Sequence, residues 1–168
     1  DIGEEVDRII SLGFKGIKLH PDFQRFNIDG ENMIPIYRAI EGRLPLLMHM
    51  GDEEKTFSHP RRLARVLDIF PSLTVIAAHM GGYMRWEESM EFLVGRDLYF
   101  DTSSTLAFMD SSEVVEMIRA HGSEKVLFGV DYPMWTHEEE LERIYSLGLC
   151  EQELELILWK NASRILNI

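Results

Sequence analysis

Five short apolar runs in this sequence each stop on a histidine or an aspartate, and that repeated ending constrains the fold more than any other feature. The clearest is Thr74-Val75-Ile76-Ala77-Ala78, which stops at His79-Met80 and then two glycines, Gly81 and Gly82. Leu44-Pro45-Leu46-Leu47-Met48 stops at His49, and Lys125-Val126-Leu127-Phe128-Gly129-Val130 stops at Asp131. Weaker copies are Gly16-Ile17-Lys18-Leu19-His20 and Leu98-Tyr99-Phe100-Asp101. An apolar run of this length between turn residues fits a strand covered on both faces, as in a parallel sheet. The terminal residues His20, His49, His79, Asp101 and Asp131 recur at steps of 29, 30, 22 and 30 residues, about the length of one strand and its helix.

The segments between these runs read as helices. Glu4 to Leu12 carries Val6, Ile9 and Ile10 at helical spacing before Gly13, a residue suited to a helix end. Helices are expected over 32–41, 61–70, 86–94, 111–120 with a serine cap, 137–147 capped by Thr136, 151–158 and 161–166. Residues 21–30 and 51–60 read as loops after strand ends, where substrate-contacting loops sit. Strands alternating with helices imply parallel pairing and right-handed crossovers. No Gly-x-Gly-x-x-Gly or P-loop follows the first strand, so the usual nucleotide-binding signature is missing.

The expected class is therefore α/β, one domain over residues 1–168, with His or Asp at the carboxyl end of every strand. In a parallel barrel that is the end where catalytic groups collect. At 168 residues a complete (β/α)8 barrel is out of reach, since it needs at least ~200. The chain starts at Asp1 rather than methionine, and its first residues read as the middle of something longer.

Charge narrows the partners. The formal charge of −12, from 29 acidic and 17 basic residues, argues against nucleic-acid or anionic-membrane surfaces and leaves a small-molecule substrate. One cysteine, Cys150, makes no internal disulfide, and with no secretory or membrane-spanning run the chain reads as cytoplasmic. Cys150 lies between two helices with no histidine near it in sequence and is not expected to be a nucleophile.

Imidazoles and carboxylates at one rim suit a divalent metal such as zinc, which takes nitrogen and oxygen ligands and ionises a bound water near neutrality. The same residues could equally form a metal-free His/Asp acid–base pair. No Gly-x-Ser-x-Gly elbow is present, which removes the common serine-hydrolase reading. Lys18 and His20 are two apart and share a face of their strand; His59 lies in a loop that could hang over the site. His121 at a helix end and His137 in a first turn read as structural and exposed, respectively.

An ordered set of short motifs carries a resemblance. It comprises Gly-Phe-Lys-Gly-Ile-Lys-Leu-His-Pro (13–21), Met-His-Met-Gly (48–51), Ala-His-Met-Gly-Gly (78–82), Phe-Asp-Thr-Ser (100–103), Gly-Val-Asp-Tyr-Pro (129–133) and Lys-Asn-Ala-Ser-Arg-Ile-Leu (160–166). The set resembles the amidohydrolase superfamily, and more narrowly the branch that holds aminocarboxymuconate-semialdehyde decarboxylase, γ-resorcylate decarboxylase and 2-pyrone-4,6-dicarboxylate lactonase.

That resemblance implies a (β/α)8 TIM-barrel type of fold, with this chain covering about strands four to eight. It implies His49 as the strand-five metal ligand and His79 as the strand-six histidine that binds a second metal or polarises substrate. Asp131 becomes the strand-eight aspartate, touching the metal and handling the proton. His20, Lys18, Asp101 and His59 are the candidates for substrate contact. The expected activity is metal-dependent hydrolysis of a small carboxylated or cyclic amide, ester or lactone. The alternatives are a non-hydrolytic metal-dependent decarboxylase of an aromatic or unsaturated acid, and an inactive half-barrel with an interaction role. The family's His-x-His of strand one has no counterpart here, and the open edges of a partial barrel raise the expectation of a homo-oligomer.

Overall fold

A computed structural model describes residues 1–168. It contains, in order, α1 (Ile2–Ser11), β1 (Ile17–Leu19), α2 (Pro21–Gln24), α3 (Ile34–Ile40), β2 (Leu46–Met48), α4 (Pro60–Ile69), β3 (Val75–Ala77), α5 (Trp86–Phe92), β4 (Tyr99–Asp101), α6 (Ser111–His121), β5 (Val126–Leu127), α7 (His137–Ser146), α8 (Glu151–Glu155) and α9 (Asn161–Leu166). All five strands pair in parallel, in the spatial order β1-β2-β3-β4-β5. This order decides the architecture. A doubly wound sheet reverses direction at a switch point, whereas strands laid down in sequence put every right-handed crossover on the same side and build a barrel wall.

Register shows which face is which. Lys18 pairs with Leu47, Leu47 with Ile76, and Ile76 with Tyr99, one row across four strands. That row is the barrel-interior face, and none of its members is fully buried. Their neighbours Leu46, Met48, Val75, Ala77, Phe100 and Val126 point the other way, into the helices, and are all but inaccessible. A single core of 28 buried residues fills the space between sheet and helices. The fold is an open, five-stranded part of a (β/α)8-type barrel.

The ends of the elements follow local chemistry. Thr136 and Glu139 form a reciprocal capping box at α7, and His59 with Pro60 starts α4, its Nδ1 accepting from the Arg61 amide. Residues 21–30 are not all loop, because His20 caps the short α2 and Pro21 is preset for its first turn. The serine cap expected for α6 is instead Asp110, whose side chain makes no capping bond. The two closing helices run together through a π-helical turn, Leu156–Lys160. They are pinned to β5 by the buried Asn161, which donates to the carbonyls of Ser123 and Val126 at 2.8 and 2.7 Å. No helix is long and apolar enough to cross a membrane.

Candidate active site

The strand ends converge on a cavity of about 380 Å³ at the carboxyl rim of the sheet, lined by Lys18, His20, Phe23, His49, Asp52, His79, Tyr83, Ser104, Asp131 and Met134. Four of the five strands therefore deliver their terminal polar residue, or one beside it, to one hollow. A larger groove of about 740 Å³ opens next to it, between α5 and the Phe108–Met109 turn, but no imidazole lines its walls.

The centre is a pair of imidazoles. His49 Nδ1 and His79 Nε2 face each other at 3.0 Å. The outer nitrogen of each ring is committed to a backbone carbonyl, His49 Nε2 to Gly51 and His79 Nδ1 to Ser103, both at 2.9 Å. Carbonyl oxygens only accept, so those outer nitrogens carry the protons. In the neutral rings the two facing nitrogens then both present lone pairs. Burial, with His79, His20 and Lys18 close by, pushes the His49 pKa down to about 3, so the His49 ring is neutral at neutral pH.

Two facing lone pairs in a partly buried site repel each other and attract a cation. Two nitrogens each ~2.1 Å from one ion stand ~3.0–3.4 Å apart, which matches the observed spacing. The pair offers two nitrogen donors to a zinc- or manganese-like ion, and Asp131 lines the same cavity. The residues present fit a divalent metal.

The surroundings hold His79 still. His79, Met80 and Gly81 all have positive φ, at 60°, 50° and 78°. Strain of this kind concentrates where a structure must aim a group. The His79 carbonyl accepts from Trp86 Nε1 at 3.0 Å. Its amide donates to Asp101 Oδ1, which also accepts from the Ser103 amide and hydroxyl. Because the Ser103 proton goes to Asp101, its Oγ accepts from His79 Nδ1 at 3.0 Å. Asp101 lies beneath the site as a support rather than in the cavity lining.

On the other side His20 is clamped between Phe23 and His49, with ring centroids 3.9 and 3.7 Å away and planes within 3° and 13°. Burial and the nearby Lys18 lower its pKa. His20, Asp22 and His49 offer donor atoms within 4.8 Å of one another. Imidazole lone pairs lie in the ring plane, however, so the two parallel, stacked rings cannot both aim at one ion. Asp22 is only 1% exposed; one carboxylate oxygen accepts from Ser58 Oγ and the other has no partner.

Lys18 reaches the cavity from β1. Crowding by its neighbours lowers its pKa, while Asp101 and Asp131 push the other way. His59 is not brought to the cavity: it caps α4, with Nε2 3.9 Å from Glu88. His121 is buried between Gly95 and Leu98 and is structural, and His137 is exposed.

The sequence reading missed Tyr83, Ser103 and Ser104. Ser104 Oγ donates to Asp131 Oδ2 at 2.7 Å. The Asp-Thr-Ser-Ser run from 101 to 104 was the available signal, but nothing in it says which hydroxyl turns inward. Tyr83 is set by Gly51: a Cβ there would stand 2.4 Å from the Tyr83 amide nitrogen and carbonyl oxygen, and the Tyr83 amide donates to Met50 O at 2.7 Å.

A family model described as amidohydrolase matches residues 3–168. No curated protein matches the sequence. An uncharacterized TIM-barrel protein from Bordetella bronchiseptica is 26% identical, with a TM-score of 0.85 over 98% of this chain and 61% of that one. A 5-carboxyvanillate decarboxylase from Sphingomonas paucimobilis is 18% identical, with a TM-score of 0.76 over 99% of this chain and 62% of that one. A dihydroxybenzoic acid decarboxylase from Polaromonas sp. JS666, solved with manganese and the inhibitor 2-nitroresorcinol, is 16% identical, with a TM-score of 0.74 over 98% and 64%. The likeness to the two decarboxylases is one of fold, and the chain spans a little over three-fifths of the length of these structures.

Proposed function

The chain belongs to the amidohydrolase family, and from that premise we propose that it is the metal-binding part of an enzyme that decarboxylates a small aromatic or unsaturated acid. The observation that carries the metal half of this reading is the His49–His79 pair, whose facing nitrogens at 3.0 Å have no proton to share. The acid half rests on Lys18 in a hollow walled by Phe23, Tyr83 and Met134, a cation beside flat apolar surfaces. The decarboxylases of similar fold act on carboxylated phenols, and a substrate of that class suits such walls. Asp52, which lines the same hollow, would disfavour a second carboxylate near it.

His49 and Asp131 would hold the ion, with His79 beside it, and the nitrogen and oxygen donors suit zinc or manganese. The bound ion would supply a Lewis acid that polarises a substrate oxygen. The chain's own residues do the rest. Lys18 pairs with the substrate anion. His79, fixed as the Nδ1–H tautomer by Ser103, keeps its Nε2 lone pair for the ion it faces beside His49. Asp131, after taking up a proton from solvent, would pass it to the ring carbon that bears the carboxylate; the bond to that carboxylate then breaks, its electron pair returns to the ring, and CO2 leaves.

Hydrolysis of a cyclic ester or amide is the second reading, favoured by the placement of Asp131, where a carboxylate could take a proton from an attacking water. The reading is tested by incubating the protein with manganese or zinc and a panel of hydroxylated benzoic acids, lactones and amides. Release of CO2 in step with loss of the acid supports decarboxylation; ring opening or ester cleavage without CO2 replaces it with hydrolysis. Asp131→Asn should lower turnover at least ~100-fold, and near-normal turnover would remove Asp131 from the chemistry.

A further inference from the structure

Asp131 stands at the open end of β5 with its surface exposed, and its carboxylate makes one hydrogen bond, to Ser104 Oγ at 2.7 Å. Ser104 is itself 3% exposed and sits at φ 48°, while Asp131 has φ 62°. Both are in the left-handed region, which glycine enters freely and other residues enter at a cost. A serine held there, three residues after β4 ends, is keeping something that glycine would lose. The hydroxyl is the only such group, and it is spent on Asp131.

We propose that Ser104 is a positioning residue that fixes Oδ2 of Asp131 and leaves Oδ1 for the metal and for proton transfer. The proposal rests on the functional reading above, in which Asp131 serves the cation held at the imidazole pair. Ser104 reaches the carboxylate from the neighbouring strand end, so it ties the last donor of the site to the same rim that Asp101 and Ser103 use to fix His79. The Asp101–Ser104 run thus orients both ends of the donor set: its first and third residues set the imidazole, and its fourth sets the carboxylate. Outer residues of this kind change metal affinity by roughly 10- to 100-fold when removed.

The test compares Ser104→Gly, Ser104→Ala and Asp131→Asn with the parent protein, using Mn²⁺ alone as the probe and calorimetric titration of the metal-free protein as the readout. Ser104→Gly removes the hydroxyl and relaxes the backbone, so its melting temperature should equal or exceed that of the parent. Its Mn²⁺ affinity should nevertheless fall roughly 10- to 100-fold, as should that of Ser104→Ala. A purely structural role predicts the opposite: Ser104→Gly would bind Mn²⁺ as the parent does. If Asp131→Asn weakens binding and Ser104→Gly does not, the positioning role is overturned and the functional reading stands. If Asp131→Asn also binds as the parent does, the assignment of Asp131 falls and the role of Ser104 falls with it.

Discussion

Replacing His49 with phenylalanine tests the central physical claim, that the facing imidazoles are held at a cost to the protein until a cation joins them. Phenylalanine keeps a flat ring to stack on His20, 3.7 Å away, and removes one of the two lone pairs. Leaving a buried acceptor without a donor costs ~1–3 kcal/mol, so relieving the His49 lone pair about offsets stripping the buried Gly51 carbonyl of its donor, His49 Nε2. The metal-free variant should therefore lie within ~1 kcal/mol of the parent. For a chain of this size each kcal/mol moves the melting temperature by ~2–4 °C, so a shift of less than ~4 °C in either direction is expected. Metal separates the two. At 100 times its dissociation constant a bound ion stabilises the parent by ~2.7 kcal/mol, or ~5–11 °C, and His49→Phe should lose that increment. Scanning fluorimetry of both proteins, with and without Mn²⁺ or Zn²⁺, reads all four states. A variant that melts several degrees lower without metal, and still gains with it, would refute the lone-pair argument.

Three further outcomes follow from geometry elsewhere in the chain. Burial lowers the pKa of His121, whose Nδ1 accepts from the Gly95 amide and whose Nε2 donates to the Leu98 carbonyl. The unfolded chain thus binds the proton first, and stability should fall as pH drops below ~6.5, by up to ~1.4 kcal/mol per pH unit; urea titrations of His121→Gln, which can make both bonds without titrating, should show a flatter profile, and an unchanged slope would clear His121 of the effect. Gly51→Ala sets a methyl against the Tyr83 backbone at φ 82° and should destabilise by more than ~2 kcal/mol, so a denaturation midpoint matching the parent would show that this loop yields. Asn161→Asp turns an amide that donates to two carbonyls into a buried acceptor beside two others. A loss of ~3 kcal/mol or more is expected in the same assay, and a loss under ~1 kcal/mol would mean the helix is pinned by other contacts.

The sequence by itself determined the architecture and the ends of its strands. Apolar runs of fixed spacing, each stopping on His or Asp, need only the period of a strand and its covering helix to be read, and those are local properties. So His49, His79 and Asp131 could be named, as could Lys18 and His20, and the structure brings all five to one cavity. The helix signals worked for the same reason: Thr136 and Glu139, or Pro60 behind His59, act within one turn. Only the tertiary structure decided the register that puts Lys18, Leu47, Ile76 and Tyr99 in one row, since pairing partners depend on the whole sheet. It also decided which protons the imidazoles carry, because that turns on the carbonyls of Gly51 and Ser103. His59 went to a helix cap rather than the cavity, and Ser104, unremarkable in the sequence, came to hold Asp131 from 27 residues away. Strand ends are written in local pattern; the hydrogen bonds that aim them come from residues that meet only when the barrel wall is built.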